Sequence, residues 1–279
     1  MPLRAGGHRE ATLVEGPSGW GECSPLPGYP CSLEWAEAAA HEAAFGTWPA
    51  AVRDEVVVNA LVAAADPDRA AAEAADAVAA GYTCVKVKVR AGGVDAIAAV
   101  RAAVGPAVAV RVDANGAWDI EGAVAAITRL RRFDVEYVEQ PVASLDDLAA
   151  VRRRVDVPVA ADECVRHVDD ARRLAARQAA DLIVLKVQPL GGVRAALEIA
   201  DAAQVPAVVT SMLETSVGLA AGLALAAALP DLPYACGLGT AALLADDVVA
   251  DPLLPRNGRL AVRRPAPDPA RLARYRVAA

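Results

Sequence analysis

A chain of 279 residues, 55% of them hydrophobic, has enough apolar surface for one barrel-sized domain with a small appendage. Its formal charge of -7 comes with no clustered run of Lys or Arg, which argues against nucleic acid or a membrane surface as partner and points to a small molecule. The five cysteines (Cys23, Cys31, Cys84, Cys164, Cys236) are odd in number, widely spaced and without a Cys-x-x-Cys pair, against a disulfide framework or a zinc site and in keeping with a reducing cytoplasm.

The first 15 residues are too polar for a signal peptide. Residues 11–14 and 20–22 read as two strands joined by a turn over 16–19. Residues 24–30 hold too much Pro and Gly for a helix or a central strand and are expected to form a mobile loop. A helix follows over 33–44, capped by Ser32, with Glu34 and Glu37 in its first turn.

Residues 55–61 read as the first strand of a barrel, followed by a helix over 67–80 that starts on Pro67 and stops before Gly81. The alternation repeats as strand 83–89, helix 93–103, strand 108–113 and helix 119–131, then runs on to strand 205–210 and a helix after Ser216. That last helix includes the Ala-rich stretch 217–229, shorter than the roughly 20 residues of a membrane span and expected to be buried. A weak eighth strand is expected at 234–238, and the Pro- and Arg-rich tail from 251 should wrap over the outside or onto the N-terminal unit. The class is α/β, a TIM-type (β/α) barrel over residues 53–251. Nothing in the pattern distinguishes a monomer from a homo-oligomer.

Five short β-branched runs close on a charged residue: Lys88, Asp113, Glu139, Asp162 and Lys186, roughly 25 residues apart, the length of a strand, a crossover helix and two short loops. In a parallel barrel these strand ends meet at one mouth. Three carboxylates facing one another repel unless a cation lies among them, and all-oxygen ligation favours Mg²⁺ or Mn²⁺. One charged strand end is ordinary; five in a row are not.

Lys86 and Lys88 share a face of their strand and point inward, where an ammonium is costly unless paired with anions or shifted toward the neutral form. A lysine beside another cation can lose its proton and serve as a base. Arg111 shares the inward face of the next strand, with a structural ion pair and a substrate contact equally open. Asp162 and Glu163 alternate in direction, so one faces the metal and the other is expected on a lysine. Lys186 lies across the barrel from Lys88. Two lysines on opposite sides of a metal-bound carboxylate suit removal of a proton α to that carboxylate. After the next strand, Ser211 and Glu214 are open between substrate contact and scaffold.

Lys86-Val-Lys88, Asp113-Ala-Asn115, Glu139-Gln-Pro141, Ala161-Asp-Glu163 and Leu185-Lys186, in this order, resemble the enolase superfamily and within it the muconate-lactonising subgroup, over about residues 55–240. The resemblance implies Mg²⁺ on Asp113, Glu139 and Asp162, with Lys88 and Lys186 as acid/base or cation-stabilising lysines; Lys86, Arg111, Asn115, Glu163, Ser211 and Glu214 are candidates for supporting or substrate-binding roles. It also implies that residues 1–52, with 252–279 packed on them, form a small α+β capping domain. The chain begins just before that cap's second strand, so the cap reads as shortened, through a truncated or misassigned start or a minimal design.

The segments at 19–28 and 211–218 are most similar to the superfamily's o-succinylbenzoate synthases of menaquinone biosynthesis. That likeness implies dehydration of 2-succinyl-6-hydroxy-2,4-cyclohexadiene-1-carboxylate, with Lys88 removing the α-proton and Lys186 steadying the enediolate. An N-acylamino acid racemase or dipeptide epimerase of the same superfamily is the alternative. A barrel that binds a metal or carboxylate without turnover would not require both lysines.

Overall fold

The computed structural model describes residues 1–89 and 94–276. Its N-terminal hairpin pairs β1 (Thr12–Gly16) with β2 (Gly19–Cys23), and α1 (Leu33–Phe45) lies directly on that hairpin's backbone. The contact depends on small residues. Ala36, Ala40 and Ala44 are buried on α1, and a Cβ added to Gly21 would stand 2.0 Å from the Ala40 carbonyl oxygen. Ser32 caps α1 as expected, its hydroxyl accepting from the Trp35 amide at 3.1 Å.

The run 55–61 is two strands, not one. β3 (Glu55–Val57) belongs to an outer antiparallel ribbon, and β4 (Ala60–Val62) enters the barrel sheet. Between them Val58 bridges to Cys236, and Asn59 donates its amide to the Cys236 carbonyl at 2.9 Å. A continuous apolar run shows only that both segments are buried, and periodicity alone does not locate the handover.

Helices and strands then alternate: α2 (Pro67–Ala79), β5 (Cys84–Lys88), α3 (Val94–Val104), β6 (Ala109–Asp113), α4 (Ile120–Leu130) and β7 (Val135–Glu139). The second half continues with α5 (Leu145–Arg152), β8 (Val159–Ala161), α6 (Val168–Arg177), β9 (Leu182–Leu185), α7 (Val193–Ala203), β10 (Ala207–Val209) and α8 (Ser216–Ala228). The expected start of α3 at 93 lies outside the described residues. Strands β4 to β10 form one parallel sheet in sequence order, curled as in a TIM-type barrel. Its closing segment is not a full strand over 234–238: Cys236 bridges Val58 and Gly237 bridges Thr210, each by a single parallel pair. Pro233 precedes this segment and a short 3-10 turn over Gly239–Leu243 leads away from it, so the pairing stops after two residues.

The tail does both things expected of it. β11 (Arg259–Ala261) pairs with β3, while Arg264 donates to the Trp20 carbonyl at 2.9 Å and lies 4.2 Å over the Trp48 ring. After it, α9 (Pro269–Tyr275) is held to Asp246 through Arg271 and Tyr275. The N-terminal unit is also fixed beside the barrel mouth. Glu42 of α1 accepts from the first amides of α7, Val193 at 2.5 Å and Arg194 at 3.1 Å, where Gly192 offers no capping side chain. None of the described helices is long and apolar enough to cross a membrane.

Candidate active site

Strand register assembles the site. Lys88 pairs with Asp113 and Asp113 with Glu139 across β5, β6 and β7, while Asp162 follows the last residue of β8 and Lys186 the last of β9. The strand ends are turned sharply: Asn115 has φ of 46° and Gln140 φ of 40°. Asn115 returns its amide to Asp113 Oδ1 at 3.1 Å, a local turn that fixes the carboxylate. Gln140 accepts from the Asp162 amide at 2.7 Å and so holds the end of β8 against that of β7. The motif Glu139-Gln-Pro141 thus carries a positioning residue beside its ligand candidate.

Lys86, Lys88, Asp113, Glu139, Asp162 and Lys186 all line one cavity of about 280 Å³. Lys86 Nζ lies 3.0 Å from Glu139 Oε1 and 3.2 Å from Asp113 Oδ2. Lys88 Nζ lies 3.1 Å from Asp113 Oδ2 and 2.8 Å from Asn115 Oδ1. Across the mouth, Lys186 donates to Asp162 and, at 3.2 Å, to the Tyr29 hydroxyl. The two inward lysines differ in burial. Lys86 is 8% exposed, whereas the Lys88 side chain keeps 41% of its surface at the rim, so the cost of burying an ammonium falls on Lys86 alone.

Electrostatics tie the cluster together. Burial, reinforced by Asp113, pushes the Glu139 carboxyl up to about 7 against the pull of Lys86. Burial would lower both inner lysines, but the carboxylates outweigh it: Glu139 and Asp113 hold Lys86 above the ordinary lysine range, and Asp162 and Glu139 do the same for Lys186. Of the two ways left open for an inward lysine, pairing with anions is the one found at Lys86, and Lys186 keeps the charge expected of it. Among the described residues no group of three or more His, Cys, Asp or Glu is arranged as it stands to hold a metal ion, because Lys86 closes on Asp113 and Glu139 while Lys186 closes on Asp162. The donor chemistry, three carboxylates from adjacent strand ends, fits a hard divalent cation.

Two supporting candidates fall on one of the roles left open for them, Arg111 and Glu214, and one, Glu163, departs from its expected lysine partner. Arg111 is not at the mouth: it pairs with Glu136, donates to the Ala235 carbonyl and lies 4.8 Å over the Tyr137 ring. Of its two open roles the structure gives the ion pair. Glu163 accepts from Asn115 Nδ2 at 3.0 Å, not from a lysine, and reaches Lys88 only through that amide. Glu214 lies behind the cavity wall, accepting from the Met212 amide at 2.6 Å. Ser211 does line the cavity, with its hydroxyl 2.6 Å from the Gly237 carbonyl and 2.9 Å from Thr240 Oγ1. Tyr29, unremarked in the sequence within its Pro-Gly loop, donates to Asp162 Oδ1 at 2.8 Å, with Lys186 Nζ 4.7 Å from its ring centroid. An aromatic residue in a loop leading from a hairpin to a helix was the available signal.

Behind the wall, Glu22 of β2 accepts from Ser24 Oγ at 2.6 Å, from the Gly218 amide at 3.0 Å and from both the amide and the hydroxyl of Thr215. Glu214 packs against the same Gly218, where an added Cβ would meet Glu214 Cβ at 2.7 Å and Glu22 Cδ at 2.9 Å. Burial first, and the Glu22 charge second, push Glu214 from an ordinary 4.5 up to about 7. An acid that holds its proton more tightly folded than unfolded contributes stability that is complete below pH 4.5 and is lost as pH rises through 7. Glu214→Gln, neutral throughout, should therefore flatten the decline in urea midpoint between pH 5 and pH 8. The expected difference approaches about 3 kcal/mol; equal slopes for the two proteins would show that Glu214 is not protonated in the fold.

Residues 69–267 match the family described as Enolase C-terminal domain-like, and residues 2–44 match Enolase N-terminal domain-like. The chain is 54% identical over 278 residues to an o-succinylbenzoate synthase of Thermobifida fusca, covering 96% of this chain and 86% of that one. It is 47% identical to an o-succinylbenzoate synthase of Mycolicibacterium smegmatis, covering 95% and 83%. Among solved structures, muconate cycloisomerase from Pseudomonas fluorescens superposes with a TM-score of 0.85 at 25% identity, over 96% of this chain and 97% of the other.

Proposed function

This chain belongs to the enolase superfamily, and we propose that within it the chain dehydrates 2-succinyl-6-hydroxy-2,4-cyclohexadiene-1-carboxylate to o-succinylbenzoate. The observation that carries this reading is the likeness, over nearly the whole chain, to enzymes of that activity, joined to a cavity with Lys88 on one side and Lys186 on the other. We assign residues 1–52 with the tail to a cap, and 53–251 to the catalytic barrel. A cytoplasmic, menaquinone-forming setting goes with the reaction.

Lys88 is the proposed base. Its ammonium is anchored on Asp113 and Asn115 yet keeps access to the cavity. Once neutral, it takes the proton α to the ring carboxylate and returns it to the departing hydroxyl, so the C–H and C–O bonds break, water leaves and the ring becomes aromatic. Lys186, held protonated beside Asp162, offsets the negative charge that develops on the substrate carboxylate. Asp113, Glu139 and Asp162 would hold Mg²⁺, or Mn²⁺ in its place, which when bound supplies Lewis-acid stabilisation of that carboxylate. Tyr29 holds the Asp162 carboxylate and Gln140 its backbone amide.

The test is turnover of the cyclohexadiene carboxylate, followed by formation of the aromatic product, with Mg²⁺ and after exhaustive chelation. Rapid dehydration with metal and its loss in chelator is the expected result. Solvent-deuterium exchange and racemisation of an N-acylamino acid without dehydration would replace the reading with that of a racemase.

A further inference from the structure

Two buried polar atoms in the cavity have no partner: Asn59 Oδ1 and Thr210 Oγ1. Their residues are 5% and 4% exposed, and both line the cavity on the side away from the carboxylate-bearing strands β6 to β8. Their backbone amides are both engaged. Asn59 donates to the Cys236 carbonyl at 2.9 Å and Thr210 to that of Leu185 at 2.9 Å, so neither residue can turn away. They flank the closing segment, where two glycines, Gly237 and Gly239, leave the approach open; a Cβ on Gly237 would stand 2.9 Å from Thr210 Cγ2. A buried hydroxyl or amide oxygen without a hydrogen bond has lost its water for nothing in return, so a pair of them facing one cavity marks where a ligand or its water is received.

The charges lining the cavity narrow the ligand chemistry. The lining cations among the described residues are Lys86, Lys88 and Lys186, each already in contact with a carboxylate. Among the described residues no lining ammonium is left over for a second anionic group, and the surrounding wall is apolar, with Leu61, Met212 and Leu213. Ser211 and Thr240 are already engaged with each other and with the Gly237 carbonyl. Thr210 supplies a donor and Asn59 an acceptor.

We propose that Thr210 and Asn59 receive the end of the substrate that does not react, the carboxylate of its succinyl tail, through neutral hydrogen bonds. The inference rests on the reaction proposed above. Thr210 donates its hydroxyl to the tail carboxylate. Asn59 Oδ1 accepts from a water whose second hydrogen goes to the same carboxylate, which satisfies every orphaned atom without a cation. A hydrogen bond from a neutral donor to a charged acceptor contributes about 1.5–3 kcal/mol, so the preference for a tail that ends in a carboxylate should be at least about 10-fold.

The test compares binding of o-succinylbenzoate and 2-butyrylbenzoate, which ends in a methyl group where the former has its tail carboxylate, by calorimetry with Mg²⁺ present. Wild type should prefer o-succinylbenzoate at least about 10-fold, Thr210→Val should reduce that preference to near unity by weakening o-succinylbenzoate alone, and Thr210→Ser should restore it. In turnover the Thr210→Val loss should appear as a raised KM and not as a lowered kcat. Equal weakening of both ligands in Thr210→Val, or an unchanged preference, overturns the assignment while leaving the reaction standing. Failure of the wild type to bind o-succinylbenzoate or dehydrate the substrate overturns the reaction first and the tail site with it.

Discussion

Lys88→Ala should lower dehydration by about 10⁴-fold, the upper end of what one acid/base group supplies, because the same ammonium is asked both to take the α-proton and to return it to the leaving hydroxyl. The fold should survive. The Lys88 side chain is 41% exposed, and Asp113 keeps a buried partner in Lys86 at 3.2 Å. Solvent-deuterium exchange at the α-carbon should vanish along with product formation. Lys186→Arg, by contrast, keeps a cation beside Asp162 but not a group that readily gives up its proton, and should retain measurable dehydration. A racemase needs both lysines to exchange protons, so there the same substitution would stop turnover. Substantial exchange in Lys88→Ala would mean that another residue is the base.

The mouth of the barrel was legible because strand register and sequence spacing carry the same information. Lys88, Asp113 and Glu139 end paired strands, so their positions in the chain are already their positions around the barrel. What each side chain touches was less legible. Arg111 and Lys86 stand opposite each other in register, yet one faces Glu136 on the floor and the other faces Glu139 at the mouth. They start from the same level, so the course each long side chain takes separates them, and an alternating pattern does not encode that course. Tyr29 and Glu42 escaped for a related reason: their partners, Asp162 and the start of α7, lie more than 130 residues away. Asn59 and Thr210 carry no motif at all; what marks them is a missing hydrogen bond, visible only once everything around them is placed. The handover from β3 to β4 was hidden by the continuous apolar run that makes both strands buried.

Glu139→Gln should remove at least about 10³-fold of the activity and also destabilise the protein, and the two losses should be separable. Glu139 is fully buried, and both its oxygens accept from Lys86, at 3.0 and 3.2 Å. Neutralising it leaves a buried ammonium with Asp113 as its remaining carboxylate, a charge Asp113 already shares with Lys88. Removing one member of such a pair costs about 3–5 kcal/mol when the survivor is left unpaired; with Asp113 still present the lower end applies, about 3 kcal/mol. Adding Lys86→Met, which removes the stranded charge and keeps a similar apolar volume, should recover most of the stability in a denaturant titration. It should recover none of the activity, because the divalent-cation site would still lack one of its three carboxylates. Calorimetric Mg²⁺ binding as tight in Glu139→Gln as in wild type would remove Glu139 from the ligand set, whereas lost binding with restored stability in the double variant would assign it both tasks.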